Sequence, residues 1–304
     1  FRSPTCTLQD KMAAGALALI ADISIEEFAR EIMPLVEAGA DIVGGCCGTT
    51  PEHIRLLNEL LIEKGYKDGG SFEKREGQVL RRALSTERNV LPIDLDGDFL
   101  IIGERINPTG KKALQAQLRE GSLDMVCEMA ESQEEFGASI LDVNMGMNGI
   151  DEKEMMISAV KSIQAIVDVP LQVDSTIPEV LDAALRVYNG KPIVNSVNGE
   201  EKSLKAVLPL VKKYGAAVVG LTLDENGIPP KAEDRFKIAQ RILERAQAIG
   251  IPKENVYIDC LTLTASAEQE GVMETLNAVY RVKHELGLKT VLGVSNISFG
   301  LPNR

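Results

Sequence analysis

Leu171-Gln172-Val173-Asp174-Ser175, then the stretch from Pro178 to Tyr188, then Pro192-Ile193-Val194-Asn195-Ser196 decide the fold. A short apolar run ends on a carboxylate, an amphipathic stretch follows with Pro in its first turn, and a second apolar run ends on an amide. This is one strand–helix–strand unit, and it recurs on both sides. Further apolar runs lie at Phe99 to Gly103, Ile140 to Val143, Ala216 to Leu223, Val256 to Ile258 and Thr290 to Val294. Amphipathic stretches at Ser122 to Gly137, Lys153 to Val167, Glu201 to Tyr214, Asp234 to Gly250 and Glu268 to Gly287 separate them. Gly137, Gly215, Gly250 and Gly287 stand where a helix C-terminal glycine belongs. Strands alternating with helices predict a parallel sheet buried on both faces. Seven strands, the last without a helix behind it, predict an α/β fold: a (β/α)8 barrel lacking its last βα unit.

Composition narrows the class. The 304 residues are 44% hydrophobic, which excludes a disordered chain, and no Gly-X-Y or heptad repeat points to a fibre. A net charge of -12 argues against nucleic acid or an anionic membrane as partner. The uncharged run Met12 to Ala21 is too short to span a bilayer. With Arg2 ahead of it, it faintly resembles a signal peptide, but charged, helix-periodic residues follow at once. Five cysteines, with Cys46 and Cys47 adjacent, do not form a disulfide framework, so the reducing cytoplasm is the expected compartment. The chain opens on Phe1 and reads as a segment of a longer one.

One stretch breaks the alternation. From Lys64 to Asp98 charges mix with glycines and few apolar residues, the pattern of an interdomain linker with a short helix around Gln78 to Leu84. It separates a small N-terminal piece, with one short apolar run at Ile42-Val43, from the large block.

In a (β/α)8 barrel the active site lies at the C-terminal ends of the strands. The polar residues there are Glu104, Arg105 and Asn107; Asp142 and Asn144; Asp174 and Ser175; Asn195 and Ser196; Thr222 and Asp224; Asp259; and Ser295 and Asn296. Such groups are costly to bury without partners, so their presence at every strand end predicts a polar ligand site. The set contains no Ser-His or Cys-His pair and no lysine placed for a Schiff base. His53 follows the helix start Thr50-Pro51-Glu52 and His284 lies late in a helix, which makes both surface residues. Carboxylates that can take two parallel N–H bonds, beside amides, suit a flat heterocycle with several N–H donors and carbonyl acceptors.

The run from Leu100 to Asn107, with Leu141-Asp142-Val143-Asn144, Val173-Asp174-Ser175, Val194-Asn195-Ser196, Ile258-Asp259 and Gly293-Val294-Ser295-Asn296, resembles the methyltetrahydrofolate-binding, or pterin-binding, barrels. These include the folate domain of cobalamin-dependent methionine synthases and the methyltetrahydrofolate:corrinoid methyltransferases. The resemblance covers about Phe99 to Arg304. It implies that Asp174, Asn195 and Asp259 hold the pterin ring, that Glu104, Asn107, Asp142 and Asn144 belong to the pocket, and that Asn296 contacts the methyl-bearing nitrogen as the catalytic residue. Arg105, Lys111 and Lys112 are candidates for the anionic glutamate tail, with solvated surface charge the simpler role for each lysine.

Gly44-Gly45-Cys46-Cys47-Gly48-Thr49-Thr50-Pro51-Glu52-His53 resembles the last zinc-ligand segment of homocysteine methyltransferases. The resemblance implies that Cys46 and Cys47 bind Zn2+ with a third, earlier cysteine, leaving one position for the homocysteine thiol. Cys6 lacks the Gly-rich setting that third ligand needs, so the zinc site reads as incomplete. Cys127 and Cys260 read as packing thiols. The expected organisation is therefore 1–65, the end of a homocysteine-binding domain; 66–98, a linker; and 99–304, a truncated methyltetrahydrofolate-binding domain. The implied reaction moves the N5-methyl group of 5-methyltetrahydrofolate to cob(I)alamin, carried on a separate cobalamin-binding domain or corrinoid protein, and on to homocysteine. The isolated chain is expected neither to hold zinc tightly nor to methylate homocysteine. Two alternatives stay open: a dihydropteroate synthase-like enzyme, which should place Lys or Arg where this chain has Ser295-Asn296-Ile297-Ser298, and a non-catalytic barrel remnant.

Overall fold

Seven strands run parallel and pair in chain order. The computed structural model describes residues 24–40, 42–45, 48–66, 82–264 and 269–298. By its internal contacts the chain divides into two units, 1–78 and 79–304.

In the first unit, α1 (Ile25–Glu37) starts at Ser24, whose Oγ accepts the Glu27 N–H at 3.1 Å. Phe28, Ala29 and Ile32 of α1 pack with Leu57 of α2 (Pro51–Glu63). His53 serves as a cap, its Nδ1 accepting the Thr50 N–H at 3.1 Å, and it meets the edge of Phe28. The strand expected at Ile42-Val43 does not form: residues 42–45 are irregular and Ile42 is exposed. A parallel strand needs a neighbour for its backbone groups, and none is described in this unit. Met12 to Ala21, Cys6, Cys46 and Cys47 lie outside the described residues, so the zinc motif has no described geometry.

The second unit begins with β1 (Ala83–Ser85) and β2 (Val90–Pro92), paired antiparallel. Of the helix expected around Gln78 to Leu84, residues 78–81 lie outside the described residues, and the expectation is corrected at Ala83 and Leu84, which are strand. The chain turns back between Thr86 and Asn89: the Thr86 N–H donates to the Asn89 carbonyl at 2.9 Å. Leu84 is fully buried under the barrel, a tertiary contact that local charge patterning does not reveal.

The barrel sheet follows as β3 (Ile102–Ile106), β4 (Ile140–Asn144), β5 (Leu171–Asp174), β6 (Ile193–Asn198), β7 (Ala217–Leu221), β8 (Val256–Asp259) and β9 (Lys289–Val291). The connecting helices are α3 (Lys112–Arg119) and α4 (Asp124–Glu135), then α5 (Glu152–Ile166), α6 (Pro178–Val187), α7 (Glu201–Tyr214), α8 (Ala232–Ala248) and α9 (Gln269–His284). The short helix α3 has no counterpart among the expected stretches. Two boundaries move: the first barrel strand sits at Ile102–Ile106 rather than Phe99 to Gly103, and the last is Lys289–Val291, followed by a 3-10 turn over Val294–Ser298. No described helix is long and apolar enough to cross a membrane.

Period-two alternation sorts the side chains into two layers. Leu141, Val143, Leu171, Val173, Val194, Val218 and Ile258 face outward into one large cluster with the helices. Ile140, Ile193, Ala217, Val219 and Tyr257 face inward and meet Leu84 and Ile93. That inner cluster also takes in Ile102 of β3 and Val291 of β9, strands at opposite edges of the sheet, so the sheet curls into an open barrel. Among the described residues β3 and β9 do not pair. Gly103 permits the tight approach of α4: a Cβ there would stand 2.7 Å from Gln133 Oε1 and 3.1 Å from Leu141. Gln133 Oε1 in turn accepts the Arg105 N–H at 2.8 Å.

Candidate active site

Paired positions place the polar residues side by side. Asp142 lies opposite Gln172, Asn144 opposite Asp174, and Asp174 opposite Asn195, while Asp259 pairs with Leu221 on one side and Val291 on the other. Each is on the inward face by the alternation just described, at the C-terminal end of the strands. Barrel geometry thus collects residues that are far apart in sequence.

Asp142 is the hub. Its Oδ1 accepts from Gln172 Nε2 at 2.5 Å and from Asn195 Nδ2 at 3.2 Å. Asn144 Nδ2 donates to Asp174 Oδ2 at 2.8 Å, and Asn144 Oδ1 accepts the Gly146 N–H at 2.8 Å, which fixes the orientation of the amide. Asp259 Oδ1 accepts the Leu261 N–H at 2.7 Å, and the Thr222 hydroxyl donates to the Asp259 carbonyl at 3.1 Å. Ser175 Oγ donates to Glu152 Oε1, at the start of α5, at 2.6 Å. At the rim, Asn107 Nδ2 donates to Glu104 Oε1 at 3.1 Å.

The electrostatics are one-sided. Burial pushes the Asp142 carboxyl up to about 7, and the like charges of Asp174 and Glu104 push the same way against the two hydrogen bonds. Burial also raises Asp174, with Glu104 and Glu152 adding to it, and lifts Asp259 to about 6. Among the described residues no donor reaches Asp142 Oδ2, Asp174 Oδ1 or Asp259 Oδ2. The pocket therefore holds partly buried acceptors and a high affinity for protons. It suits a ligand that brings N–H groups.

Of the residues singled out from sequence, Asp142, Asn144, Asp174 and Asn195 come together in adjoining strands, and Asp259 shares their face. Glu104 and Asn107 stand at the rim, with Glu104 exposed. Asn296 differs from expectation. It lies exposed in the 3-10 turn, not at a strand end, and its N–H donates to the Gly293 carbonyl at 3.1 Å. Lys111 Nζ donates to the Arg105 carbonyl at 2.7 Å, and Asp224 Oδ1 caps its own turn by accepting the Asn226 N–H. His284 stacks on Tyr280 on α9, and Cys260 is fully buried. Sequence reasoning missed Gln172, hidden inside an apolar run although its period places it beside Asp142, and Glu152, which reads as an ordinary acidic first-turn residue. Among the described residues no group of three or more metal-type side chains is assembled.

Residues 103–303 match the family described as pterin binding enzyme, and residues 5–61 match homocysteine S-methyltransferase. The chain is similar to the methionine synthases of Mycobacterium leprae (strain TN) and Mycobacterium tuberculosis (strain ATCC 25618 / H37Rv), each 32% identical over 282 residues, or 88% of this chain. It spans 23% of the length of each of these relatives. Solved dihydropteroate synthases share the fold. The Xanthomonas albilineans enzyme with 4-aminobenzoic acid superposes with a TM-score of 0.54 at 22% identity, over 70% of this chain and 77% of that one. The Vibrio fischeri ES114 enzyme gives 0.51 at 16% identity, over 69% and 77%. With its seven-stranded pterin-type barrel and a match over 103–303, the chain belongs to the pterin-binding enzyme family.

Proposed function

We propose that this chain carries the 5-methyltetrahydrofolate site of a methionine synthase-type methyltransferase. Residues 99–304 form the folate-binding part, 66–98 the connection, and 1–65 the end of a homocysteine-binding domain that would use Cys46 and Cys47 as zinc ligands. The observation that carries the reading is the convergence of Asp142, Asn144, Asp174, Asn195 and Asp259 on one inward face, with their open acceptor positions. A reduced pterin presents a 2-amino group and ring N–H donors along one edge, which two carboxylates can take. Asn144 and Asn195, oriented by Asp174 and Asp142, supply the complementary amides. The two halves of the sequence match and the relatives' name support the methyl-transfer reading over a barrel of another chemistry.

A corrinoid held outside this chain would supply the nucleophile for the methyl group. The residues of this chain bind the pterin, keep its plane fixed and keep a proton near N5 as that nitrogen becomes the leaving group. Asp142 suits the last task because its carboxyl titrates near neutrality. Asn296 is proposed to act at the chemical step, reaching the ligand from the turn after β9.

Calorimetry on the full chain tests the reading. The protein should bind 5-methyltetrahydrofolate, and Asp174→Ala or Asp259→Ala should weaken binding at least about tenfold, as for a lost charged hydrogen-bond partner. Unchanged affinity in both variants would move the site elsewhere. A preference for pterins lacking the N5-methyl group would favour the dihydropteroate synthase-like alternative.

A further inference from the structure

The most buried charged side chain of the barrel plays no part in the site as described so far. Arg235, in the first turns of α8, has 0% exposure, a place where a guanidinium is costly to hold without hydrogen-bond partners. Its Nε donates to the Pro229 carbonyl at 2.8 Å. Its Nη1 lies 2.9 Å from the Cys260 carbonyl, 3.0 Å from the Leu261 carbonyl and 2.8 Å from Thr275 Oγ1. The Thr275 hydroxyl is itself 3.1 Å from the Leu261 carbonyl and 3.0 Å from that of Gly271. Arg235 and Thr275 thus bring α8 and α9 to bear on the two residues that follow Asp259.

Peptide geometry carries the consequence to the pocket. The Cys260 carbonyl and the Leu261 N–H belong to one planar trans peptide unit and point in opposite directions. A carbonyl held by Arg235 on one side therefore aims the Leu261 N–H to the other, where it meets Asp259 Oδ1 at 2.7 Å. Leu261 takes a φ of 59°, left-handed backbone that a leucine adopts only when its surroundings impose it. Its carbonyl is gripped by both Arg235 and Thr275, which supplies that constraint. We infer that Arg235 sets the direction of the Asp259 carboxylate through the Cys260–Leu261 peptide, making it a positioning residue for ligand recognition at the barrel mouth. The inference rests on the proposed pterin site for its functional meaning, and on the hydrogen bonds alone for its structural content.

The test uses the full chain, with Arg235→Lys and the gentler Thr275→Val, in two measurements. In an NMR titration of the carboxyl carbons, loss of the Leu261 N–H bond should raise the Asp259 midpoint in both variants and leave the Asp142 midpoint in place. In calorimetry with 5-methyltetrahydrofolate, Arg235→Lys should weaken binding about tenfold, the order of one charged hydrogen bond, and should cost nothing further in an Asp259→Ala background. Leu261→Gly, which accepts positive φ without constraint, should restore part of the affinity lost in Arg235→Lys. If Arg235→Lys does not fold, Thr275→Val carries the same comparison. An Asp259 midpoint that stays put in the folded variants, or affinity losses that add, overturns the inference. If Asp259→Ala leaves binding unchanged while the Asp259 midpoint shifts as expected, the positioning stands and the pterin reading fails instead.

Discussion

The two ends of one sheet face different physics. At the N-terminal end the inward residues are Ile140, Ile193, Ala217 and Tyr257, and they close on Leu84 and Ile93 beside the β1–β2 hairpin. Two residues further along the same strands, roughly 6.6 Å on, the inward residues of β4, β6 and β8 become Asp142, Asn195 and Asp259. The floor buries apolar surface and is stapled from outside: the Tyr188 hydroxyl donates to the Ser85 carbonyl at 2.9 Å, Arg82 Nη2 to the Gly287 carbonyl at 2.8 Å, and Lys289 Nζ to the Asp94 carbonyl at 2.6 Å. The mouth buries carboxylates whose proton affinity burial raises above the ordinary carboxylate range. The floor stabilises the barrel, and part of that stability is spent at the mouth on a prepared site.

The sharpest way to break this division is to damage the floor and look for an effect at the mouth. Leu84 is fully buried, so Leu84→Ala should destabilise the barrel by about 2–4 kcal/mol, the cost of the lost methyl groups plus the cavity. Urea unfolding measures it. Folate affinity of the protein that remains folded should stay within about twofold of the parent, since a local cavity leaves distant, independent sites nearly additive. A parallel collapse of affinity would mean that floor and mouth are one cooperative unit.

The converse change is made at the hub. In Asp142→Asn the side-chain carbonyl can still accept from Gln172 and Asn195, but the buried charge is gone. The Asp142 carboxyl titrates near 7 in the folded chain, against an ordinary value of 3.8. Between those values the folded state binds more protons than the unfolded one, so this group's contribution to stability falls as pH rises from about 4 to about 7 and then levels off. Asp174 and Asp259, both raised, act with the same sign. Asp142→Asn should therefore gain about 1–3 kcal/mol at pH 8, after allowance for relaxation around the site, and flatten the decline between pH 4 and 7. Thermal or urea unfolding at a series of pH values checks both. The parent's folate affinity should move the opposite way, rising about 3- to 10-fold from pH 5.5 to 8 as Asp259 becomes an acceptor for ligand N–H groups. Calorimetry across that range reads the slope. A flat profile would mean that the ligand meets these acids protonated.

Much of this contrast is legible in the sequence, because apolar runs ending in Asp or Asn mark the mouth directly and the helices between them follow amphipathic period and glycine stops. The floor is not legible. Leu84 and Ile93 sit among charges and glycines, and only the closed end of a barrel gives them a surface to bury against. Gln172 and Arg235 escape for related reasons. A single glutamine in an apolar strand looks like an outward face, and an arginine in the polar stretch Lys231-Ala232-Glu233-Asp234-Arg235 looks solvated until the carbonyls after β8 are placed beside it. The strand end expected at Asn296 fails because β9 stops at Val291 and the chain winds into a 3-10 turn, whose backbone bonds are local.

Asn296 sets the smallest expected effect and marks where the mouth ends. Its side chain is exposed, and its amide sits against Gly293, where an added Cβ would come within 3.0 Å of Nδ2. No hydrogen bond ties it to the network of Asp142, Asn144, Asp174 and Asn195 among the described residues. Asn296→Ala should thus change stability by less than about 0.5 kcal/mol, as for an ordinary surface position, and folate affinity by less than about threefold. Any role in methyl transfer would then appear as a loss in single-turnover rate with the complex saturated, about 10- to 1000-fold for a donor that acts only in the transition state. A fall in affinity beyond tenfold with stability unchanged would show the turn after β9 reaching over the bound pterin in the ground state. The mouth would then have a wall contributed by Val294–Ser298 in addition to its strand ends, and recognition would depend on how that turn closes as well as on the carboxylates beneath it.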